Sequence, residues 1–216
     1  MSAGAIVRKI AGPLERKLCA AYRAVFINVH RCTEQIVQAI PENAYLIDVG
    51  GGDGEPLNYL LRMRPDVTVA MLDLRAQIGM FLDPDVRERV TLHPSTSLAA
   101  YRAQAGRRAD ALLVSDVMHH VPSQGRAVFI RDCLALLKPN GVLIVKDVAP
   151  GGLISHLGVL ADRYITGDRH VALMEPSELV ALVEGSGDLR MSGVLLDRRE
   201  HPNFAIAFQG PADRLA

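Results

Sequence analysis

Tyr45-Leu46-Ile47-Asp48-Val49-Gly50-Gly51-Gly52-Asp53-Gly54 is the stretch whose reading decides the fold. Tyr45 to Val49 is a short apolar run interrupted only by Asp48, the pattern of a buried strand ending in a ligand-facing acid. Gly50, Gly51, Gly52 and Gly54 then turn the chain, and beyond Glu55 the residues Leu57, Leu60 and Leu61 fall at helical spacing. Strand, glycine turn and helix together make a nucleotide-binding element, because residues without Cβ let backbone N–H groups come close to a ligand. The spacing excludes one ligand class. The dinucleotide fingerprint G-x-G-x-x-G needs a small residue at position 55, and the carboxylate of Glu55 would repel a pyrophosphate there. The pattern present is Asp48-x-Gly50-x-Gly52-x-Gly54.

Downstream of this element the chain alternates. Residues 67–72 are apolar and rich in β-branched side chains, and they end at Asp73. Residues 76–82 read as a short helix, 89–92 as a third strand and 98–104 as a helix. A fourth strand follows at 109–114 and a helix at 124–137. Pro139-Asn140-Gly141 reads as a turn into a fifth strand at 142–146. Near-continuous apolar strands between helices predict an α/β domain, its parallel sheet covered on both faces. From Ala149 the rhythm breaks. Pro150-Gly151-Gly152 leads to a helical segment at 153–164, then a helix at 176–184 with Pro176 as first residue and Gly185 as the stop. Residues 189–196 and 203–209 read as an antiparallel pair. Upstream, Leu14, Leu18, Tyr22, Val25, Phe26, Val29, Cys32, Ile36 and Ile40 recur at three- and four-residue steps, an amphipathic helix stopped by Pro41. The expected organisation is a helical cap at 1–44 and a ligand-binding core at 45–216, with an insertion at about 150–175 roofing a substrate pocket.

Composition narrows the partners. A chain of 216 residues suits one three-layer domain. Twenty-four basic and 24 acidic residues balance, and no tryptophan with only five Phe and five Tyr leaves little for base stacking, so no nucleic-acid partner is expected. The three cysteines lack metal-type spacing, which points to a reduced, cytoplasmic protein. Arg8, Lys9, Glu15, Arg16 and Lys17 break every N-terminal apolar run, so neither a signal peptide nor a membrane span is expected.

The D-x-G-x-G-x-G motif with its strand and helix resembles class I S-adenosylmethionine (SAM)-dependent methyltransferases, over about residues 45–209. The resemblance implies a Rossmann-like, seven-stranded, mostly parallel sheet with an antiparallel last strand and helices on both faces. It implies SAM as cofactor and S-adenosyl-L-homocysteine as product. The loop of Gly50, Gly51, Gly52 and Gly54 would hold the methionine part of SAM, with Asp48 meeting its cationic amino group. Asp73 lies nineteen residues beyond Gly54, where an acid can accept hydrogen bonds from both ribose hydroxyls. Leu74 would pack on the adenine. Many relatives carry an adenine-recognising Asp after the third strand. This chain has His93-Pro94-Ser95-Thr96 there, leaving Ser95 and Thr96 as the candidates. Ser115 and Asp116 end the fourth strand and border the same site.

The segment after the fourth strand, Ser115-Asp116-Val117-Met118-His119-His120-Val121, lacks the N/D-P-P-Y/F and Pro-Cys sequences of DNA methyltransferases. From Val117 to Val121 it resembles the segment of plant- and actinobacterial-type O-methyltransferases that carries a His general base. Arg131-Asp132-Cys133, Lys138-Pro139-Asn140-Gly141 and Asp147-Val148-Ala149-Pro150 parallel the elements that follow. The resemblance places His119 on the base and Asp147 on its flanking acid, with His120 as the alternative base. A carboxylate at Nδ1–H would fix the imidazole tautomer and leave Nε2 to take a hydroxyl proton. Asp116 and Asp147 lack the following Asp-Asn pair of a magnesium site, and no metal is expected. The expected function is methyl transfer to a small organic acceptor, most readily the hydroxyl oxygen of an aromatic or natural product. C- or N-methylation of a quinone-, lipid- or natural-product-like nucleus, and a SAM-binding protein without catalysis, stay open, as does a homodimer.

Overall fold

The computed structural model describes residue 16 and residues 29–104, 106–151, 171–196 and 202–210. Within these, α1 (Val29–Ile36) precedes β1 (Tyr45–Val49), the glycine loop and α2 (Glu55–Met63). Then follow β2 (Thr68–Leu72), α3 (Pro84–Arg87), β3 (Val90–His93), α4 (Leu98–Ala103) and β4 (Ala109–Ser115). Two 3-10 turns, Met118–His120 and Ser123–Gly125, lead into α5 (Arg126–Ala135). The remainder is β5 (Leu137–Val148), α6 (Pro176–Ser186), β6 (Arg190–Leu196) and β7 (Asn203–Gln209).

The seven strands form one sheet in the order β3-β2-β1-β4-β5-β7-β6. Strands β1 to β5 pair in parallel, while β7 runs antiparallel to both β5 and β6. Side chains alternate between faces along each strand, and this parity sorts the core into two layers. Ile47, Ala70, Leu72, Leu112, Val114, Leu143 and Val145 pack under Leu98 and Tyr101 of α4, Ile130 and Cys133 of α5, and Leu179 and Val183 of α6. Their neighbours Leu46, Val69, Met71, Ala111, Leu113, Val142 and Ile144 pack against Cys32 and Ile36 of α1 and Leu57, Leu60 and Leu61 of α2. The seven-stranded, mostly parallel α/β sheet is therefore as expected. No described helix is long and apolar enough to cross a membrane.

Three local expectations are corrected. Residues 76–82 form bends and turns instead of a helix, and the helix of this connection is α3. Gly79 takes a left-handed φ of 66°, and the segment spends its hydrogen bonds elsewhere. The Gly79 and Phe81 N–H groups donate to the carbonyls of Gly52 and Asp53 at 2.9 and 2.8 Å. The buried Asn58 of α2 donates to Phe81 O and accepts from Asp83 N–H. Pro139-Asn140-Gly141 does not precede β5 but lies inside it, as an irregularity where the ladder to β4 shifts register between Ala109 and Ala111. Gly185 does not stop α6, which runs on to Ser186 with Gly187 as its cap. The Ser186 hydroxyl donates back to Leu182 O at 2.7 Å. The helical segment expected at 153–164, Cys19 and most of the helix expected at 14–40 lie outside the described residues; α1 falls within the latter.

Candidate active site

The chain leaves β1 outward to β2 and β3, then returns to β4 on the other side of β1. Their C-terminal loops therefore diverge, and such a switch point is where open α/β sheets hold ligands. Here the first loop touches the second. Gly50 has φ 72°, and a Cβ on it would stand 2.4 Å from Val117 Cγ2 in the loop after β4. Its N–H donates to Leu72 O at 2.7 Å, which pins the glycine loop to the end of β2. Gly51 covers Asp48 so closely that an added Cβ would lie 2.3 Å from Asp48 Oδ2. Gly52 and Gly54 complete the loop.

Asp48 is 4% exposed. Burial, then the Asp73 charge, push its carboxyl up to about 7. An acid in that state suits a cation brought by a ligand. Asp73, just past β2, is held differently. It accepts from Gly52 N–H at 3.1 Å, from Arg75 N–H at 2.9 Å and from Arg75 Nη2 at 2.9 Å. Burial works against its charge, but the Arg75 guanidinium and these N–H donors outweigh it and hold Asp73 below the usual carboxylate range. Leu74 beside it is 75% exposed. The loop after β3 is tied to the same place: Ser95 N–H donates to Arg75 O and Thr96 N–H to Asp73 O. The Thr96 hydroxyl turns back to Pro94 O at 2.9 Å. Asp48, Asp73 and the 50–54 loop thus fit a ligand that carries an ammonium group and a vicinal diol.

The ends of β4 and β5 bring the remaining groups together. Asp147 Oδ1 lies 2.5 Å from His119 Nδ1, and its Oδ2 accepts the His119 backbone N–H at 3.1 Å. Both side chains are buried. Burial pushes the Asp147 carboxyl up, yet the His119 charge and hydrogen bond, the Val148 N–H and the Lys146 charge outweigh it and leave it below its ordinary value. The His120 ring lies 4.1 Å from that of His119, tilted by 49°. Ala172, on the far side of the insertion, donates its N–H to His119 O at 2.9 Å. Its carbonyl accepts from Arg126, whose Nε also donates to Val121 O at 3.1 Å. Asp116 takes φ 57° and receives Lys146 Nζ on both oxygens, at 2.6 and 2.7 Å. Ser115 Oγ donates to it at 3.3 Å.

The structure gathers the expected residues at the C-terminal edge of β1 to β5, with Asp116 engaged by Lys146 and Asp73 by Arg75. Lys146, Arg75 and Arg126 went unnoticed in the sequence. A signal existed for Lys146, a single cation inside the apolar run Val142-Leu143-Ile144-Val145 and its continuation, and a buried lysine requires a partner.

A family model described as a methyltransferase domain matches residues 20–187. The O-methyltransferase SfmM3 of Streptomyces lavendulae is 23% identical over 157 residues, covering 71% of this chain and 44% of that protein. Among solved structures, the mitomycin 7-O-methyltransferase MmcR superposes with a TM-score of 0.67 at 20% identity, over 98% of this chain and 61% of its own. An O-methyltransferase family protein from Burkholderia thailandensis gives 0.61 at 20% identity, over 85% and 57%. The methyltransferase SibL gives 0.70 at 17% identity, over 92% and 58%. The chain spans less than two thirds of the length of these relatives.

Proposed function

We propose, from the premise that the chain belongs to the methyltransferase-domain family, that it methylates a hydroxyl oxygen of a small aromatic or natural-product acceptor, with SAM as donor. The observation that carries the oxygen reading is the buried His119–Asp147 pair, 2.5 Å apart at the edge of the ligand crevice. Asp48 would meet the SAM amino group, the 50–54 loop its methionine part and Asp73 its ribose. Leu74, Ser95 and Thr96 would border the adenine, and Ser115 and Asp116 the same site. When bound, SAM would supply an electrophilic sulfonium methyl, with S-adenosyl-L-homocysteine as the leaving product.

His119 takes the acceptor's hydroxyl proton at Nε2, because Nδ1 is engaged by Asp147. The carboxylate fixes that tautomer and stabilises the imidazolium until the proton passes to water. The crevice contributes by holding nucleophile and methyl in line. The acceptor would lie beside the His119 turn, where Ala172 donates its N–H to the His119 carbonyl.

The test is turnover against a panel of phenols and hydroxy-aromatic acids, with binding of S-adenosyl-L-homocysteine measured in parallel. His119→Ala is expected to lower kcat by about 10²–10⁴-fold with cofactor affinity unchanged. Asp147→Asn is expected to cost less, and His120→Ala little. Near-native turnover of His119→Ala at pH 7 would overturn the base assignment and favour C- or N-methylation. Cofactor binding without turnover of any acceptor would favour a non-catalytic SAM-binding protein.

A further inference from the structure

Lys146 is 1% exposed and has no part in the chemistry above. Its neighbours in β5 alternate strictly, with Val142 and Ile144 on the α1–α2 face and Leu143 and Val145 on the α5–α6 face. This parity sends Lys146 to the α1–α2 side and Asp147 to the other. Two adjacent residues thus reach around the edge of the sheet in opposite directions. Each grips one end of the four-residue turn 116–119.

At its first residue, Lys146 holds Asp116 twice. Lys146 O accepts the Asp116 N–H at 2.9 Å, and its ammonium spans both carboxylate oxygens. At the last residue, Asp147 holds His119 twice, by backbone N–H and by ring. Asp116 sits at φ 57°, a left-handed conformation that Asp enters more readily than most residues with a side chain but still at a cost, which its neighbours offset. The turn between the grips carries Val117, the residue that meets Gly50 of the cofactor loop.

We propose that Lys146 is a positioning residue: its ion pair with Asp116 imposes the left-handed start of the turn, and thereby aims His119 at the acceptor and seats Val117 on the glycine loop. Asp147 alone cannot set this geometry, because it restrains only the far end of the turn. As an account of positioning, the inference rests on His119 being a working group. The readout below reports the turn whether or not methyl transfer occurs, so the two readings fail separately.

The experiment is amide hydrogen exchange by NMR on the full chain with S-adenosyl-L-homocysteine, comparing wild type, Lys146→Met and the double variant Lys146→Met/Asp116→Asn. The His119 amide, bonded to Asp147 at the opposite end of the turn, is expected to lose about tenfold in protection in both variants, with the β2 amides unchanged. Weaker cofactor binding is expected to accompany it, through Val117. Lys146→Met leaves a carboxylate about one third exposed to meet water, and the double variant, which removes both charges together, carries the measurement should the single variant fail to fold. Unchanged His119 protection in the folded variants overturns the proposal. So does an equal loss across the whole sheet, which would make the pair a general stabilising contact.

Discussion

Burial, with the Asp73 charge adding to it, pushes the Asp48 carboxyl up to about 7, and this has two measurable consequences of opposite sign. A ligand ammonium is met only by the ionised form. Affinity for S-adenosyl-L-homocysteine, by calorimetry, is therefore expected to climb with pH up to about 7, by at most about tenfold per unit. It should fall again only in alkaline solution, where the ligand's own amino group loses its proton. For the empty fold the linkage runs the other way. An acid whose pKa is raised on folding contributes its stability below its unfolded value, and that contribution is lost as pH rises through the folded value. Asp48→Asn is thus expected to melt higher than wild type at pH 8 while losing the cofactor and its pH dependence. Asp73 has the opposite sign: its depressed pKa keeps this proposed ribose acceptor ionised throughout the range. Asp73→Asn should weaken cofactor binding by roughly 1.5–3 kcal/mol without altering that profile. Asp48 and Asp73 were legible in the sequence because each ends or follows an apolar strand, whereas His119 and Asp147 were singled out by the resemblance. Arg75 and Arg126 were not, since what they do depends on which carbonyls and carboxylates the folded chain brings beside them.

Among elements, the glycine loop and the loop after β4 behave as one unit. Gly50→Ala meets two obstacles, a φ of 72° and a Val117 methyl 2.4 Å from the new Cβ. It is expected to cost about 1–3 kcal/mol in urea unfolding. Val117→Ala in the same chain should recover the steric part and leave the backbone part, so a double-mutant cycle is expected to show coupling of about 0.5 kcal/mol or more. Additive costs would mean that the two loops are independent. The same distinction explains which elements could be read in advance. β1, β2, β4 and β7 announce themselves because burial on both faces makes their sequences continuously apolar. Residues 76–82 carry apolar side chains at helical intervals, but Gly79 and the bonds to Gly52, Asp53 and Asn58 win over that weak local preference. Gly185 shows the converse. Nothing lies within 4 Å of where its Cβ would be, and packing of Leu179 and Val183 carries α6 past it.

At the scale of the molecule, the alternation of elements could be read from spacing, but the order of strands could not. Nor does the sequence say that Lys146 and Asp147 would hold the two ends of the turn 116–119, because that follows from β5 lying beside β4 in one particular register. The order also places β7, the last of the described strands, between β5 and β6. Seen from a ribosome, β6 emerges with no neighbour to pair with, and Val142 to Val148 waits as an open edge of buried side chains. The sheet closes backward, when Asn203–Gln209 slips into the gap and bonds to both sides at once. A polypeptide ended at residue 202 is therefore expected to be digested by a protease that spares one ended at 210, and to aggregate through the unfilled edge. Equal resistance of the two would show that β1 to β5 fold without it. Until its final strand arrives, the nascent chain has made every residue proposed for the chemistry and lacks the means of holding them.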